Sequence, residues 1–192
     1  MRRNLERERI SRWVSVERYF SACLRNLRGD RRAVEDIRAA IDELIECRFL
    51  MRIGSYLAFL ARAYLRQGRV ADARDAISRA IDYQERQGER WCRSELLRVE
   101  ASILLHTGKT VRAERRLKQA LAEARTIGAL TFALRTATDL AAHWAATGRE
   151  NSAVQLLAPI LNEFTEGFGT QDLVRSSRLL AEIEERNSGG AS

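Results

Sequence analysis

Gly68, Gly108 and Gly148 stand forty residues apart, and Gly88 and Gly128 form a second pair with the same spacing. A chain punctuated at a fixed period of this length builds one supersecondary unit several times over. The segments between the glycines keep the same period: Ala73, Ala113 and Ala153; Ile77, Leu117 and Leu157; Ala80, Ala120 and Ile160; Ile81, Leu121 and Leu161. One period earlier the series reads Ala33, Ile37, Ala40 and Ile41. Forty residues is about eleven helical turns, so a single long amphipathic helix would also match itself at this shift. The glycines exclude that reading. A helix-interior Gly costs roughly 0.5 to 1 kcal/mol against Ala, and here a Gly comes about every twenty residues among polar neighbours. Each interval is one helix, and each period is a helical hairpin.

Composition agrees with helix throughout. Ala, Leu, Arg and Glu fill long stretches and Pro occurs once, at Pro159, inside an apolar run where it is expected to kink a helix. The spacing predicts helices over 8–27, 31–47, 51–67, 70–86, 91–107, 110–126, 130–147, 150–165 and 171–187. The first bend, Arg28-Gly29-Asp30, is displaced by one residue from the later ones. The chain is expected to be a single domain over 1–187, with 188–192 a disordered tail.

No apolar run approaches the ~20 residues that span a bilayer, and the charged start "MRRNLERERI" lacks the apolar stretch of a signal peptide; a cytoplasmic protein is expected. Cys23, Cys47 and Cys92 are odd in number, lie far apart and form no C-x-x-C pair, which predicts buried reduced thiols. The net charge is +7, and all but two of the 33 basic residues are Arg. That charge admits acidic partners or nucleic acid without naming either.

The pattern W-x2-L-G-x2-Y followed by A-x3-F marks tetratricopeptide repeats. Here the second unit reads Leu57-x2-Leu60-Ala61-x2-Tyr64, then Ala73-x3-Ile77; the fourth reads Ala137-x2-Leu140-Ala141-x2-Trp144, then Ala153-x3-Leu157. The third has Leu97, Glu100, Ala101 and Leu104, then Ala113 and Leu117, with Glu100 departing from the pattern. The chain resembles a degenerate TPR-like protein. The resemblance implies an all-α fold, a right-handed α-α superhelix of about four hairpins closed by a C-terminal capping helix.

The segments "GERWCRSELLRVEASILLHTG", "AERRLKQALAEAR" and "LLAPILNEFTEGFGTQDLVRSSRLLAEI", within residues 50–185, also resemble the C-terminal repeat region of large bacterial signal-transduction ATPases of the STAND class. There such repeats follow an NTPase module joined to a cyclase-type or winged-helix effector. The ending "FTEGF", Phe164 to Phe168, with Thr170, Asp172 and Leu173 carries this likeness; Gly169 and Gln171 depart from it. Gly167 is expected as a helix C-cap, Thr170 as an N-cap, and the two Phe as anchors over the core. The NTPase and effector modules have no counterpart in the sequence. A stand-alone sensor or adaptor and the remnant of a larger regulatory ATPase both remain open.

Gly108-Lys109-Thr110 imitates the close of a P-loop, which requires Gly-x4-Gly-Lys-Thr between a strand and a helix. Ile103 stands where the first Gly belongs, and the preceding "SELLRVEASILL" is an amphipathic helix. The triplet is read as a bend, with Thr110 capping the helix from Val111. His106 and His143 have no second ligand at metal spacing. No catalytic, cofactor or metal site is assigned, and the protein is expected to be non-enzymatic. Trp13, Trp91 and Trp144 are expected in the core, Trp91 partly exposed.

One constellation stands out. In a TPR-like solenoid the first helix of each hairpin lines the concave surface. Carrying that register over places Arg18, Arg25, Arg62, Leu65, Arg66, Arg98, Leu105, His106 and Arg135 there. A basic groove for an acidic protein or peptide is the resulting expectation; a solvated charged face is the alternative, and nucleic-acid binding a further one.

Overall fold

The computed structural model describes the backbone of residues 2–189 and the side chains of 12–187. Among these residues the structure is helical, with no strand: α1 (Arg2–Leu27), α2 (Ala33–Glu46), α3 (Ile53–Arg66), α4 (Val70–Gln87), α5 (Arg93–His106), α6 (Thr110–Thr126), α7 (Leu130–Ala145), α8 (Glu150–Asn162) and α9 (Gln171–Gly189). The chain forms two compact units, 1–92 and 93–192. The first holds the hairpins α1–α2 and α3–α4; the second holds α5–α6 and α7–α8, closed by α9.

The glycine bends share one capping geometry. After α3, the Gly68 N–H donates to the Leu65 carbonyl and the Arg69 N–H to that of Tyr64, at 3.0 Å each. After α5, Gly108 donates to Leu105 at 3.0 Å and Lys109 to Leu104 at 2.9 Å. Gly68 and Gly108 have φ of +76° and +72°. This is the Schellman arrangement, in which a left-handed residue turns the chain and satisfies the last carbonyls of the helix. It also disposes of the phosphate loop: the Gly108 and Lys109 amides are spent on α5. Thr110 is itself the first residue of α6, and Lys109 holds the cap position with no side-chain bond, so the expected Thr110 cap does not form.

A second device recurs at the bends. Arg69 lies 4.3 Å over the Tyr64 ring and pairs with Glu35 of the preceding hairpin. Arg149 lies 5.3 Å from the Trp144 ring and grips Glu114 of α6 with both terminal nitrogens, at 2.8 and 3.2 Å. In each unit the bend cation thus covers the aromatic that ends its own hairpin's first helix and ties it to the hairpin before.

Cores form where the period places apolar residues. In the first unit Ile37, Ile41, Leu44, Ile53, Leu57 and Leu60 are fully buried. In the second, Ala101, Ala113, Leu117 and Leu140 form one cluster, and Leu134, Ala137, Ala141, Leu157, Ile160 and Ile183 belong to another. Ala61, Ala101 and Ala141, at the small position of the repeat pattern, are wholly inaccessible, as close helix approach requires. Cys23 and Cys92 are buried free thiols, and Cys47 is half-buried. α9 buries Leu173, Ser176 and Ile183 and turns Ser177, Arg178, Ala181, Glu184 and Glu185 to solvent, the polar outer face of a solenoid end.

The C-terminal segment departs from expectation in four places. α8 continues through Pro159 but ends at Asn162, with Glu163 as its C-cap. Gly167, at φ +75°, therefore belongs to the connection and does not cap the helix. Phe164 packs on the core while Phe168 is 64% exposed, so one anchor holds where two were expected. α9 runs to Gly189, past the expected end at 187, and the expected disordered positions 190–192 lie outside the described residues.

Glu114 gives the fold a measurable acid limit. Hydrogen bonds from Arg149 foremost, and from Lys118 at 2.9 Å, hold its carboxyl well down, to about 2, against burial acting the other way. The His143 Nε2 stands 3.8 Å from the same carboxylate. A depressed carboxyl contributes stability that is fully present above its unfolded value and lost as pH falls through its folded one. Stability is thus expected to decline from near pH 4.5 toward pH 2. Glu114→Gln should flatten part of that decline in urea melts taken across the range; an unchanged slope would remove Glu114 from the account.

Candidate functional site

In the first unit the first helix of each hairpin leaves one side open, whereas α5 in the second is buried on nearly every side. On α3 that side carries Ser55, Phe59, Arg62 and Arg66, half-buried to exposed, at spacings of four, three and four residues. The same side of α1 is not where a shift of forty residues puts it. Gly29 precedes Gly68 by thirty-nine, and one residue turns a helix face by about 100°. Shifting by thirty-nine brings Ala22 onto Ala61 and Tyr19 onto Ala58, buried positions in both helices. It brings Phe20 onto Phe59 and Leu27 onto Arg66.

The open side of α1 is therefore apolar. Trp13, Phe20, Leu24 and Leu27 are 63%, 52%, 54% and 62% exposed and fall on one stripe of the helix. α3 adjoins it: the Tyr56 ring centre is 4.2 Å from that of Tyr19 and 6.0 Å from that of Phe20. The Arg66 Nη2 donates to Asn26 Oδ1 at 2.7 Å, and its guanidinium lies 5.9 Å from the Phe59 ring. Trp13, expected in the core, stands 6.1 Å from Phe49 at the stripe's N-terminal end. Trp91 is 37% exposed, with Arg52 4.7 Å above its ring.

Arg18 and Arg25 lie on another side of α1. At the thirty-nine-residue shift they match Leu57 and Tyr64, and here they turn toward α2. Arg18 pairs with Glu43 at 2.9 Å; Arg25 pairs with Asp36, and with Asp30 at 3.4 Å. They border an α1–α2 groove of about 420 Å³ that also includes Glu17 and Ser21. These two are corrected: they do not share the side of Arg62 and Arg66. Leu65 is half-buried.

In the second unit Arg98 is the other correction. It is 5% exposed and occupies the place of Ala58 and Thr138, where helices pack. Burial alone would lower its pKa, yet two carboxylates raise it well above the ordinary value. Those are Glu95, at 2.6 and 2.8 Å, and Asp139, at 2.6 Å. Asp139 also accepts from Arg175 of α9 at 2.8 Å, Arg135 meets Asp172 at 2.7 Å, and the hydroxyls of Thr138 and Ser176 bond at 2.7 Å. Glu95, Arg98, Asp139 and Arg175 thus link α5, α7 and α9, and Arg135–Asp172 is a separate α7–α9 pair. The expected basic surface is balanced in this unit. Leu105 packs partly against the Leu117 cluster, and His106 is exposed at the end of α5.

No helix among the described residues is long and apolar enough to cross a membrane, and no three His, Cys, Asp or Glu side chains group closely enough to hold a metal ion. No family model matches the chain, and no curated protein matches it. Solved structures do. A Podosopora anserina putative kinesin light chain with nearly identical TPR-like repeats matches with a TM-score of 0.63 at 19% identity, over 90% of this chain and 86% of that one. A single-substitution variant of that protein gives 0.64 with the same identity and coverage.

The fold is TPR-like, an α-α solenoid of helical hairpins.

The first unit carries an exposed apolar stripe on α1 with Arg62 and Arg66 of α3 beside it, and the second unit carries the paired charges of Arg98, Arg135 and Arg175. The stripe was legible only through the thirty-nine-residue step between Gly29 and Gly68.

Proposed function

We propose that this chain is a non-enzymatic protein-interaction module whose contact surface is the open side of α1 and α3 in the first unit. The exposed stripe of Trp13, Phe20, Leu24 and Leu27 carries the reading. Four large apolar side chains aligned on one helix face are a patch of the kind that marks association sites. Arg62 and Arg66 beside it suit a partner that brings carboxylates along with its apolar groups. A role in bacterial signal transduction or transcriptional regulation rests on the likeness of residues 50–185 to the repeat region of signalling ATPases.

Fluorescence anisotropy with labelled peptides rich in Leu and Glu tests the surface. Reversing both charges, Arg62→Glu with Arg66→Glu, should weaken binding about tenfold or more, as loss of charged anchors at an interface does. Unchanged affinity in the double variant would sink the assignment. Labelled duplex DNA in the same assay addresses the alternative partner. The ion pairs of Arg18, Arg25, Arg98 and Arg135 count against it, and binding should vanish at physiological salt.

A further inference from the structure

We infer that the occupant of this surface is an amphipathic α-helix of a partner protein, lying antiparallel to α1 with an acidic first turn against Arg28 and Arg66. The inference rests on the interaction reading above and names the partner's form.

Backbone chemistry decides between helix and extended segment. Trp13 and Leu27 are fourteen residue steps apart, about 21 Å of helix, and the stripe along that length is apolar. An extended peptide laid there would have its amides and carbonyls covered by side chains that cannot bond them, a cost of about 1 to 3 kcal/mol for each group left unpaired. The receiving surface is also built of helices whose backbone groups are bonded internally, so it offers no sheet edge. A helix arrives with its own backbone satisfied and needs only side-chain contact. The spacings of seven, four and three along the stripe are those of a helix packing ridge.

Charge sets the direction. Among the described residues Arg66 is held by neutral groups, the Asn26 amide and the Phe59 ring, in contrast to the carboxylate-paired Arg18, Arg25 and Arg69. It is also partly desolvated, and burial pulls its pKa down. A partner carboxylate would relieve both conditions. Arg28 is exposed beside Leu27, so both cations stand at the C-terminal end of α1, while Glu17 borders the stripe nearer its start. Acidic residues are most favourable in a helix's first turn. The ligand's N-terminus therefore belongs at the Leu27 end, which makes it antiparallel to α1.

The probe is a labelled eighteen-residue peptide with Leu at three- and four-residue spacing and Glu in its first turn, titrated into the full chain by anisotropy. Three controls accompany it: the same composition with Glu in the last turn, a version with two central prolines, and an extended Glu-rich peptide. The acid-first helix should bind saturably, and the proline version about tenfold more weakly. Leu24→Glu and Leu27→Glu, both at exposed sites, should each cost about tenfold. Arg66→Glu should penalise the acid-first peptide more than the acid-last one. Equal binding of the proline version overturns the helix, and equal binding of the two charge orders overturns the direction. If only the extended Glu-rich peptide binds, and does so through Arg62 and Arg66, the inference fails while the interaction reading stands. If no peptide binds, both fail. Sedimentation equilibrium showing self-association abolished by Leu24→Glu would overturn the inference by giving the face to a second copy of this chain.

Discussion

Arg98→Ala is expected to cost about 3 to 5 kcal/mol, because it leaves the Glu95 and Asp139 carboxylates shielded from water with their shared cation gone. Both acids are only 13% exposed as side chains, and Arg98 is 7%. Arg175 would still reach Asp139 from the solvent side, whereas the two-nitrogen pairing of Arg98 with Glu95 is lost whole. Urea denaturation followed by circular dichroism reads the effect directly. A second chain separates stranded charge from lost packing. Replacing Arg98 by Met together with Glu95 and Asp139 by Leu removes the charges as a set, and should recover most of the loss. A loss below about 1 kcal/mol in the single variant would mean that water reaches the pair freely.

Leu117→Ala should cost about 2 to 5 kcal/mol by opening a cavity between α6 and its neighbours. Leu117 is wholly inaccessible and shares a cluster with Ala101, Ala113 and Leu140. Two of those three partners are alanines, whose short side chains have little freedom to move into the gap. Leu105→Ala, at the partly buried edge of the same cluster, is the internal control and should cost under about 1.5 kcal/mol, since less apolar area is lost there. Equal losses at the two sites would contradict the burial that distinguishes them.

The helices were legible because two independent signals coincide in each repeat. The apolar period of α4, α6 and α8 places Ile77, Leu117 and Leu157 inward, and the glycines between successive helices adopt a left-handed turn. α4 and α6 start and end within one residue of the positions inferred from spacing alone. The contact surface was less legible, for reasons seated in particular residues. Arg98 stands one period from the small residues Ala58 and Thr138, a packed position that its charge obscured; Asp139, forty-one residues on, is what makes a buried guanidinium tolerable. Arg18 and Arg25 were misplaced by carrying the register through a bend one residue out of phase. Phe20 and Leu27 were passed over for the same reason, and Trp13 was assigned to the core on hydrophobicity alone. Phe168 was taken as an anchor because it completes "FTEGF", whereas α8 ends early enough for Phe164 to do that work by itself.

The odd bend at Gly29 shows how an array of this kind can change its contact chemistry by length as well as by substitution. Adding or removing one residue where two helices meet leaves the second helix in place and rolls the first by a little over a quarter turn. A different row of side chains then faces the outside. In α1 the roll turns Ser15, Tyr19 and Ala22 inward and brings an aromatic and aliphatic row, Phe20 and Leu27 among it, to the outside. A repeat protein can thus acquire a new kind of customer through an insertion too small to disturb its scaffold. The phase of each bend, measured against the common period, is then as informative about partner choice as the identity of any residue on the face.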